Sequence, residues 1–421
     1  MSRRPRRHRA FLVAGALAAA TTGYAYRPLA PYGYGSAVSW LASWGVSELP
    51  GQYLGAQLAG AGVALARGAA RRPAGRAGLV LTAASAAGLV GLRRSANSAG
   101  PVLEAALVEG LGSDHQARIV RPRLPGDDAA VAGRPGLYRM MRVRSAYARD
   151  TDISYGPHGR ANVLDVWRRP DLPDDARAPV LLQIPGGAWT MGNKTGQAYP
   201  LMSHLAEHGW VCVSMAYRVS PRSTWPDHVV DVKRAIAWVK ENIARYGGDP
   251  EFIAVTGGSA GGHLSALAAV TPGAPEFQPG FEDADTRVQA AVPFYGVYDL
   301  TDGRPDTLAH WEKTVLKQPI AAARAGYEAA SPLLRVSGEA PPFFLLHGTH
   351  DVLLRVEQAR LMARRLREVS AAPVLYAELP GATHAFDTFG APRATAAAEA
   401  VERFLGVAYG DWVRARAASA R

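Results

Sequence analysis

Beyond about residue 150, short apolar runs alternate with segments whose apolar residues recur at helical spacing. Seven runs have the length and composition of buried strands, at 162–167, 179–184, 210–217, 252–257, 288–296, 342–348 and 374–379. Helices are predicted near 196–208, 227–246, 260–269, 354–369 and 392–407. This alternation predicts an α/β fold with a mostly parallel central sheet and helices on both of its faces.

The first 110 residues follow a different pattern, in which long uncharged apolar stretches are separated by charged positions. These stretches cover 10–26, 28–47, 49–66 and 77–92. Their lengths approach that of a helix crossing a bilayer, so we predict membrane association and expect a tether that contributes no catalytic group. Two alternatives stay open: the first stretch also fits a signal-peptide core, and the region as a whole fits an Ala/Gly-rich helical cap.

These patterns divide the chain into four parts. Residues 1–110 form the predicted membrane-associated region, and residues 111–150 form a polar, basic linker. Residues 151–410 form the predicted catalytic domain, and residues 411–421 form a basic C-terminal tail. Arginines flank both ends of several apolar stretches, so their order along the chain does not predict an orientation in the membrane.

The net charge of +11 arises entirely from the N-terminal part of the chain. Residues 1–150 contain 20 Arg, no Lys and 7 acidic residues, so the remainder is close to neutral. Arginines beside apolar stretches indicate a membrane surface, and no nucleic-acid-binding motif accompanies them, so we expect no nucleic-acid partner. Cys212 is the single cysteine, so no intrachain disulfide can form.

The segment GGSAGG at 257–262 lies directly between a predicted strand and a predicted helix. A serine nucleophile needs a sharp turn at this place to lift its hydroxyl clear of the sheet, with glycines where neighbouring backbone passes close. The motif alone is weak evidence in a chain with 44 glycines. Its placement between strand and helix favours Ser259 as a nucleophile over an ordinary loop.

A second small-residue segment, PGGAW at 185–189, follows the strand predicted at 179–184. A loop at this place is expected to supply backbone N–H groups to the oxyanion of a tetrahedral intermediate. Trp189 in this segment and Tyr295 at a strand end are candidate walls of a substrate pocket. An ordinary turn after a strand is the alternative interpretation.

The order of catalytic residues in such enzymes predicts an acid and then a histidine after the serine. Asp351 follows the strand predicted at 342–348, and His384 follows the strand predicted at 374–379. The histidine would take the serine proton, and the carboxylate would hold the imidazole in the required tautomer. Asp387 is a rival acid, but its closeness to His384 in sequence disfavours the geometry.

Five segments occur in the order found in the hormone-sensitive-lipase-like esterases, which the chain resembles. They are PGGAW, AYRVSP, the stretch from DVKRAIAW to GGSAGGHLSALAA, HGTHD and GATHAF, all within residues 150–408. The chain is similar in the same way to prenylcysteine methylesterases and kynurenine formamidases. The resemblance implies an α/β-hydrolase fold and a serine nucleophile that acts on carboxylic esters.

The same resemblance implies roles for individual residues. It implies a catalytic triad of Ser259, Asp351 and His384, and oxyanion-hole donors at Gly187, Ala188 and Ala260. The chain departs from the family at Pro185, where histidine is usual, and at Ala188, which replaces a third glycine. Proline has no N–H to donate, so the internal bonding of this loop must differ from the family pattern.

We therefore predict a serine carboxylesterase or lipase that forms an acyl-enzyme on a small-molecule or lipid acyl ester, at a membrane or in the cell envelope. An amide hydrolase, either an arylformamidase or a peptidase, would use the same residues. A non-catalytic, membrane-anchored binding protein with an inactive hydrolase fold is the alternative from another class. The sequence holds no metal-binding motif or dinucleotide fingerprint, so we expect no metal and no cofactor.

Two inserts are candidates for a lid over the pocket. The first covers 271–286 and follows the helix predicted after the nucleophile. The second covers 300–332 and contains His310 and Trp311. Surface loops are the alternative interpretation for both segments.

Overall fold

The catalytic half of the chain is built on one mixed sheet. The computed structural model describes residues 4–29, 34–122, 143–302 and 305–419. Within them, eight strands pair in the order β1-β2-β4-β3-β5-β6-β7-β8, with β1 and β2 antiparallel to their neighbours and the rest parallel. The strands are β1 (Ala148–Ser154), β2 (Val163–Trp167), β3 (Ala178–Ile184), β4 (Val211–Met215), β5 (Gly248–Gly258), β6 (Ala290–Phe294), β7 (Phe343–Gly348) and β8 (Val374–Leu379).

The α/β fold with a mostly parallel sheet is confirmed, and the seven predicted strands correspond to β2 through β8. The strand missed by the sequence pattern is β1, which reads ARDTDIS and lies at the edge of the sheet. Its side chains are only half-buried or exposed, so it needs no apolar run. Residues 123–142 of the predicted linker lie outside the described residues.

Helices cover both faces of the sheet and enclose two apolar cores. Those of the catalytic half are Tyr199–Glu207, Asp227–Asn242, Ala260–Val270, Pro305–His310, Ile320–Ala329, Val356–Val369 and Pro392–Ser419. Alternate residues of β3 illustrate the division, because Leu182 packs into one core and Leu181 into the other. Both faces of the sheet are therefore buried, which explains why its strands are nearly continuous apolar runs in the sequence.

The final helix runs to Ser419, which corrects the predicted basic tail from residue 411. Trp412 packs edge-on against Phe252 with ring centroids 5.5 Å apart. Arg416 pairs with Glu251 at 3.2 Å. Contacts with the start of β5 therefore extend the helix beyond the apolar periodicity seen in the sequence.

In the described residues, five helices of more than ten residues precede the sheet, and the short helix His115–Arg118 follows them. The five are α1 (Arg4–Tyr26), α2 (Tyr34–Glu48), α3 (Pro50–Ala66), α4 (Pro73–Asn97) and α5 (Ala99–Leu111). The last of them does not belong with the predicted membrane region, because Leu103 and Leu107 are fully buried in the core that also contains Leu375 of β8. The predicted boundary at residue 110 therefore moves back to the start of α5.

We expect Leu107→Ala to destabilise the catalytic domain by about 2–5 kcal/mol, because it removes a buried side chain and leaves a cavity. The matched control is the neighbouring Val108→Ala, since Val108 is 40% exposed and should change stability by less than about 0.5 kcal/mol. Thermal inactivation of esterase activity measures both. Equal midpoints for the two variants would show that α5 is not part of the core.

Candidate active site

Ser259 occupies a sharp turn between β5 and the helix Ala260–Val270. Its backbone has φ of 59° and ψ of −121°, a left-handed conformation that is strained for a residue with a side chain. The turn is held by the Ser259 N–H, which donates to the Phe294 carbonyl at 3.0 Å, and by the His263 N–H, which donates to the Ser259 carbonyl at 2.9 Å. The hydroxyl-bearing residue is thereby lifted above the end of the sheet.

The glycines around Ser259 are required by close backbone neighbours. A Cβ atom on Gly261 would lie 2.1 Å from the Ile184 carbonyl oxygen, and one on Gly257 would lie 2.5 Å from the same atom. Contacts below 3 Å with backbone cannot be relieved by moving a side chain. The nucleophile turn can therefore pack against the end of β3 only if residues 257 and 261 have no side chains.

His384 and Asp351 are in direct contact. His384 Nδ1 lies 2.7 Å from Asp351 Oδ2, although 33 residues separate them in sequence. Asp351 is fully buried, and its other oxygen accepts the N–H groups of Leu353 at 2.9 Å and Leu354 at 2.8 Å. Burial by itself would raise the pKa of Asp351, but His384 and the nearby His347 hold that pKa well below its usual range.

The rival acid, Asp387, has a different partner. The Tyr295 hydroxyl donates a hydrogen bond to Asp387 Oδ1, while burial raises the pKa of the Asp387 carboxyl. The Tyr295 ring lies over His384, with centroids 4.6 Å apart. The structure therefore places Asp351, and not Asp387, on the Nδ1 side of the imidazole.

Ser259 and His384 line the same cavity, which has a volume of about 860 Å³. Asp351 lies behind His384 and is shielded from the cavity. Trp189 and Tyr295, the two predicted wall residues, both line it as well. The structure thus brings together every candidate residue that the sequence singled out around the nucleophile.

The loop after β3 adopts positive φ at three successive residues: Gly187 at 123°, Ala188 at 52° and Trp189 at 58°. No described residue accepts a hydrogen bond from the N–H groups of Gly187 or Ala188. Ala260 is the first residue of its helix, so its N–H also has no acceptor within the helix. These three groups are the donors that the family resemblance implied.

Two hydrogen bonds hold the loop on either side of Pro185. The Gly186 N–H donates to Gln197 Oε1 at 2.7 Å, and the Tyr217 hydroxyl donates to the Pro185 carbonyl at 3.0 Å. Neither bond uses a donor at residue 185. The loop is therefore held from two sides without the histidine usual in the family.

Trp189 continues into a buried aromatic cluster. Its indole N–H donates to His263 Nδ1 at 3.2 Å, and His263 Nε2 lies 2.7 Å from the Ala330 carbonyl. Burial lowers the pKa of His263 to about 4, so the ring is neutral and accepts at Nδ1 while donating at Nε2. His263 thus fixes the pocket wall and takes no part in proton transfer.

Of the two inserts, only the second reaches the cavity. Ala309, His310, Lys313 and Thr314 line it. His310 Nε2 lies 2.8 Å from the Ala188 carbonyl, and Trp311 packs on Trp189 with centroids 5.0 Å apart. Residues 271–286 are not among the lining residues.

The residues that sequence reasoning missed lie on α2, which forms the opposite wall of the cavity. Trp40 and Trp44 line it from successive turns of this helix. The Trp40 indole N–H donates to the His384 carbonyl at 2.8 Å, and that of Trp44 donates to the Ala385 carbonyl at 3.1 Å. The only sequence signal was a tryptophan pair at i, i+4 within an otherwise small-residue stretch.

A fully buried ion pair anchors α2 to the histidine loop. Glu48 Oε2 lies 3.1 Å from Arg393 Nη1, and both side chains have no exposed surface. Glu48 Oε1 accepts the backbone N–H of Thr383, the neighbour of His384, at 3.1 Å. Arg393 also donates to the carbonyls of Ser47 at 2.9 Å and Pro380 at 2.8 Å. Helix α2 therefore lines the cavity and supports the histidine loop, which goes beyond the expected tether, while it supplies no catalytic group.

The sheet order and the strained serine between β5 and its helix define the class, which is the α/β-hydrolases. The BD-FAE family matches residues 164–366. The probable carboxylic ester hydrolase LipM of Mycobacterium tuberculosis is 54% identical over 94% of this chain and 93% of its own length. The esterase LipQ of the same organism is 47% identical over 91% and 87%.

A solved structure shows the same relationship. The esterase Est2 of the planctomycete Thermogutta terrifontis, with butyrate bound, superposes with a TM-score of 0.52 at 26% identity, over 61% of this chain and 91% of that one. The chain belongs to the α/β-hydrolase family of carboxylic ester hydrolases that includes LipM and LipQ. It is a carboxylesterase, and the resemblance seen in its sequence is confirmed.

Among the described residues, no group of three or more His, Cys, Asp and Glu side chains is placed to hold a metal ion. Ser259, His384 and the loop after β3 bring to the cavity a hydroxyl, an imidazole bonded to a buried carboxylate, and backbone N–H groups.

We expect Asp351→Asn to lower kcat on a short-chain ester by about 10⁴-fold, because the amide can stabilise the wrong imidazole tautomer. Asp387→Asn, in the loop that carries His384, is the matched control and should lower kcat less than about tenfold. Steady-state kinetics on both purified variants measure the difference. A larger loss for the Asp387 variant would assign the orienting role to Asp387.

We expect Trp40→Phe to lower kcat by roughly three- to tenfold, because it keeps a ring in the cavity but removes the hydrogen bond to the His384 carbonyl. KM for a short-chain ester should change less than kcat. Trp238→Phe is the control, since Trp238 packs on Tyr246 and does not line the cavity. Equal kcat values for the two variants would exclude a positioning role for Trp40.

Proposed function

We propose that this carboxylesterase acts through a covalent acyl-enzyme on Ser259, with His384 as base and then acid, and with Asp351 as the orienting carboxylate. The observation that carries the proposal is the placement of Ser259 and His384 on one cavity, with His384 Nδ1 bonded to buried Asp351 at 2.7 Å. Because Nδ1 is engaged by the carboxylate, Nε2 is the nitrogen available to the serine.

In the first step, Ser259 Oγ attacks the ester carbonyl while His384 Nε2 takes the hydroxyl proton. The resulting imidazolium is stabilised by Asp351, whose low pKa keeps it ionised at neutral pH. The imidazolium then gives the proton to the departing alkoxide. Water attacks the acyl-serine in the second step with His384 again as base, which releases the carboxylic acid and restores the serine.

The oxyanion of each tetrahedral intermediate needs donors that are already oriented. We assign them to the N–H groups of Gly187, Ala188 and Ala260. The positive φ values of Gly187 and Ala188 support this assignment, because unusual backbone conformations of this kind occur mainly at functional sites, where the surrounding structure holds them in place. The helix that begins at Ala260 adds the positive end of its dipole.

We propose an acyl ester of a small molecule or lipid as the substrate. The cavity walls are mainly apolar, with Trp40, Trp44, Trp189, Val297 and Leu354 among the lining residues. Such walls suit an acyl chain, which gains about 0.8 kcal/mol per buried CH₂. Est2 was solved with butyrate bound, which supports an acyl group as the ligand of the shared fold.

We further propose that the enzyme is attached to a membrane through its N-terminal helices. In the described residues, the stretch Pro73–Leu111 is long and apolar enough to cross a bilayer, and α4 is the part of it that lies outside the catalytic core. A buried core helix would pass the same test, so surface exposure decides between the two. The stronger support is the exposed apolar surface of α1, α3 and α4, including Leu17, Leu58 and Val80.

We expect Ser259→Ala to lower ester hydrolysis by 10⁴-fold or more and to abolish labelling by a fluorophosphonate probe, since both need the hydroxyl. Ser337→Ala is the control, because Ser337 is exposed and does not line the cavity. Probe labelling that persists in the Ser259 variant would move the nucleophile elsewhere.

Paired substrates that differ only in an ester or amide bond separate the proposed reaction from amide hydrolysis. We expect the wild-type enzyme to prefer the ester. A higher kcat/KM for the amide would make the protein an amidase with the same machinery, and an unlabelled, inactive wild-type protein would favour the non-catalytic alternative.

A further inference from the structure

The N-terminal helices have an unusual surface. Of the large apolar side chains exposed among the described residues, most lie between residues 13 and 90. They are Val13, Leu17, Tyr26, Leu29, Val38, Leu41, Tyr53, Leu58, Val63, Leu65, Val80 and Val90. A water-exposed helix would place polar residues at such positions.

The interior of this region is made of small residues. Gly15 of α1 lies so close to α4 that an added Cβ would be 2.8 Å from the Gly78 carbonyl oxygen. Two turns further along, the hydroxyls of Thr22 and Ser85 hydrogen-bond at 2.8 Å in a buried position. Small side chains and hydroxyl pairs facing inward, with apolar side chains facing outward, are typical of helices packed within a bilayer.

The direction of each helix follows from these contacts. Along α1 and α4 the contacting residues advance together, from Phe11 against Gly78 to Tyr26 against Gly88, so the two helices are parallel. Helix α3 runs the opposite way and ends just before the turn that begins α4. The three helices thus form a bundle, defined here as α1, α3 and α4, with two distinct ends.

One end of the bundle is strongly basic. It collects the four arginines of α1 up to Arg9, together with those at the α3–α4 turn, which are Arg67, Arg71, Arg72 and Arg76. Within the described residues, no carboxylate forms an ion pair with any of the four arginines at the turn. Eight arginines of the described residues therefore lie at this end of the bundle.

The other end of the bundle carries the catalytic domain and fewer charges. It holds Arg27, Arg93 and Arg94. Near the end of α1, the buried Ala25 packs in one apolar cluster with Leu89 and Leu92 of α4. Ser95 of α4 donates to the Pro380 carbonyl at 3.0 Å at the same end.

We infer that the bundle spans the membrane with its basic end in the cytoplasm, and that it holds the catalytic domain on the opposite, extracytoplasmic side. The inference rests on the proposed membrane attachment, but not on the ester chemistry. Arginines near the ends of spanning helices remain on the cytoplasmic side, and eight arginines at one end against three at the other set the direction. The uncharged part of α1, 10–26, is roughly 26 Å long at 1.5 Å per residue, close to the hydrocarbon thickness.

This orientation also places the cavity beside the lipid. Helix α2 lies between the bundle and the active site, with Trp40 and Trp44 on the cavity and Val38 and Leu41 exposed on its other face. An acyl ester in the outer leaflet could then reach Ser259 along α2 without crossing water. The substrate class that fits this position is a membrane-resident acyl ester.

Site-directed labelling in intact cells tests the orientation with the full chain. Cys212 is the single cysteine and is buried, so Cys212→Ala gives a background without a reactive thiol. Ala70→Cys then marks the basic end, and Asp175→Cys marks the catalytic domain, since both positions are exposed. Each variant must hydrolyse a soluble short-chain ester at the rate of the background protein, which shows that it is folded.

We expect a membrane-impermeant maleimide to label the Asp175 variant in intact cells, and the Ala70 variant only after the membrane is opened. The reverse pattern would place the catalytic domain in the cytoplasm and overturn the inference. Labelling of both variants in intact cells would show that the bundle does not span.

Sedimentation tests what covers the exposed apolar side chains of the bundle. We expect the full chain to stay in the membrane pellet after a high-salt wash, because apolar insertion is not screened by salt. A soluble oligomer in the supernatant would mean that copies of the chain cover one another, and the inference would fail. Fluorophosphonate labelling of the same fractions reports on Ser259 separately, so loss of the orientation and loss of the proposed chemistry are distinguishable.

Discussion

The structure depends on one backbone constraint, which is the close meeting of β3, β5 and the helix after β5 at the carboxyl edge of the sheet. Ser259 can take its left-handed conformation only because Gly257 and Gly261 let the Ile184 carbonyl approach within distances that any side chain would block. The same approach brings the loop at Gly187 and Ala188 to the serine. A single packing arrangement therefore creates the nucleophile position and its neighbouring N–H donors together.

A second interaction joins the N-terminal helices to the catalytic machinery. The Glu48–Arg393 pair is fully buried, and it makes further hydrogen bonds to Thr383, Ser47 and Pro380. Among the described residues, Arg393 Nε has no hydrogen-bond partner. Removing one partner would leave a buried charge, which costs several kcal/mol, so the pair makes α2 inseparable from the loop that carries His384. The N-terminal helices and the catalytic machinery are thus parts of one folded unit.

This connection gives the N-terminal region two functions. Its outward faces are apolar and its far end is basic, which suits a bilayer, while α2 supplies tryptophans to the cavity and hydrogen bonds to the histidine loop. In the orientation proposed above, the substrate pocket lies at the membrane surface. Hydrolysis of an acyl ester drawn from the lipid would then need no separate transport step.

Local sequence determined much of this protein. The apolar runs defined seven strands, and the residues flanking them identified Ser259, Asp351 and His384, because strand period and strand-to-helix turns depend on neighbouring residues. Tertiary structure alone decided the rest: the edge strand β1, the pairing of His384 with Asp351 and not Asp387, the contribution of α2, and the gathering of arginines at one end of the bundle. Trp40 and His384 are 344 residues apart. Arg9 at the start of α1 and Arg67 after α3 are separated by more than fifty residues. Such contacts leave no periodic trace in the sequence, because they arise from the relative direction of whole helices.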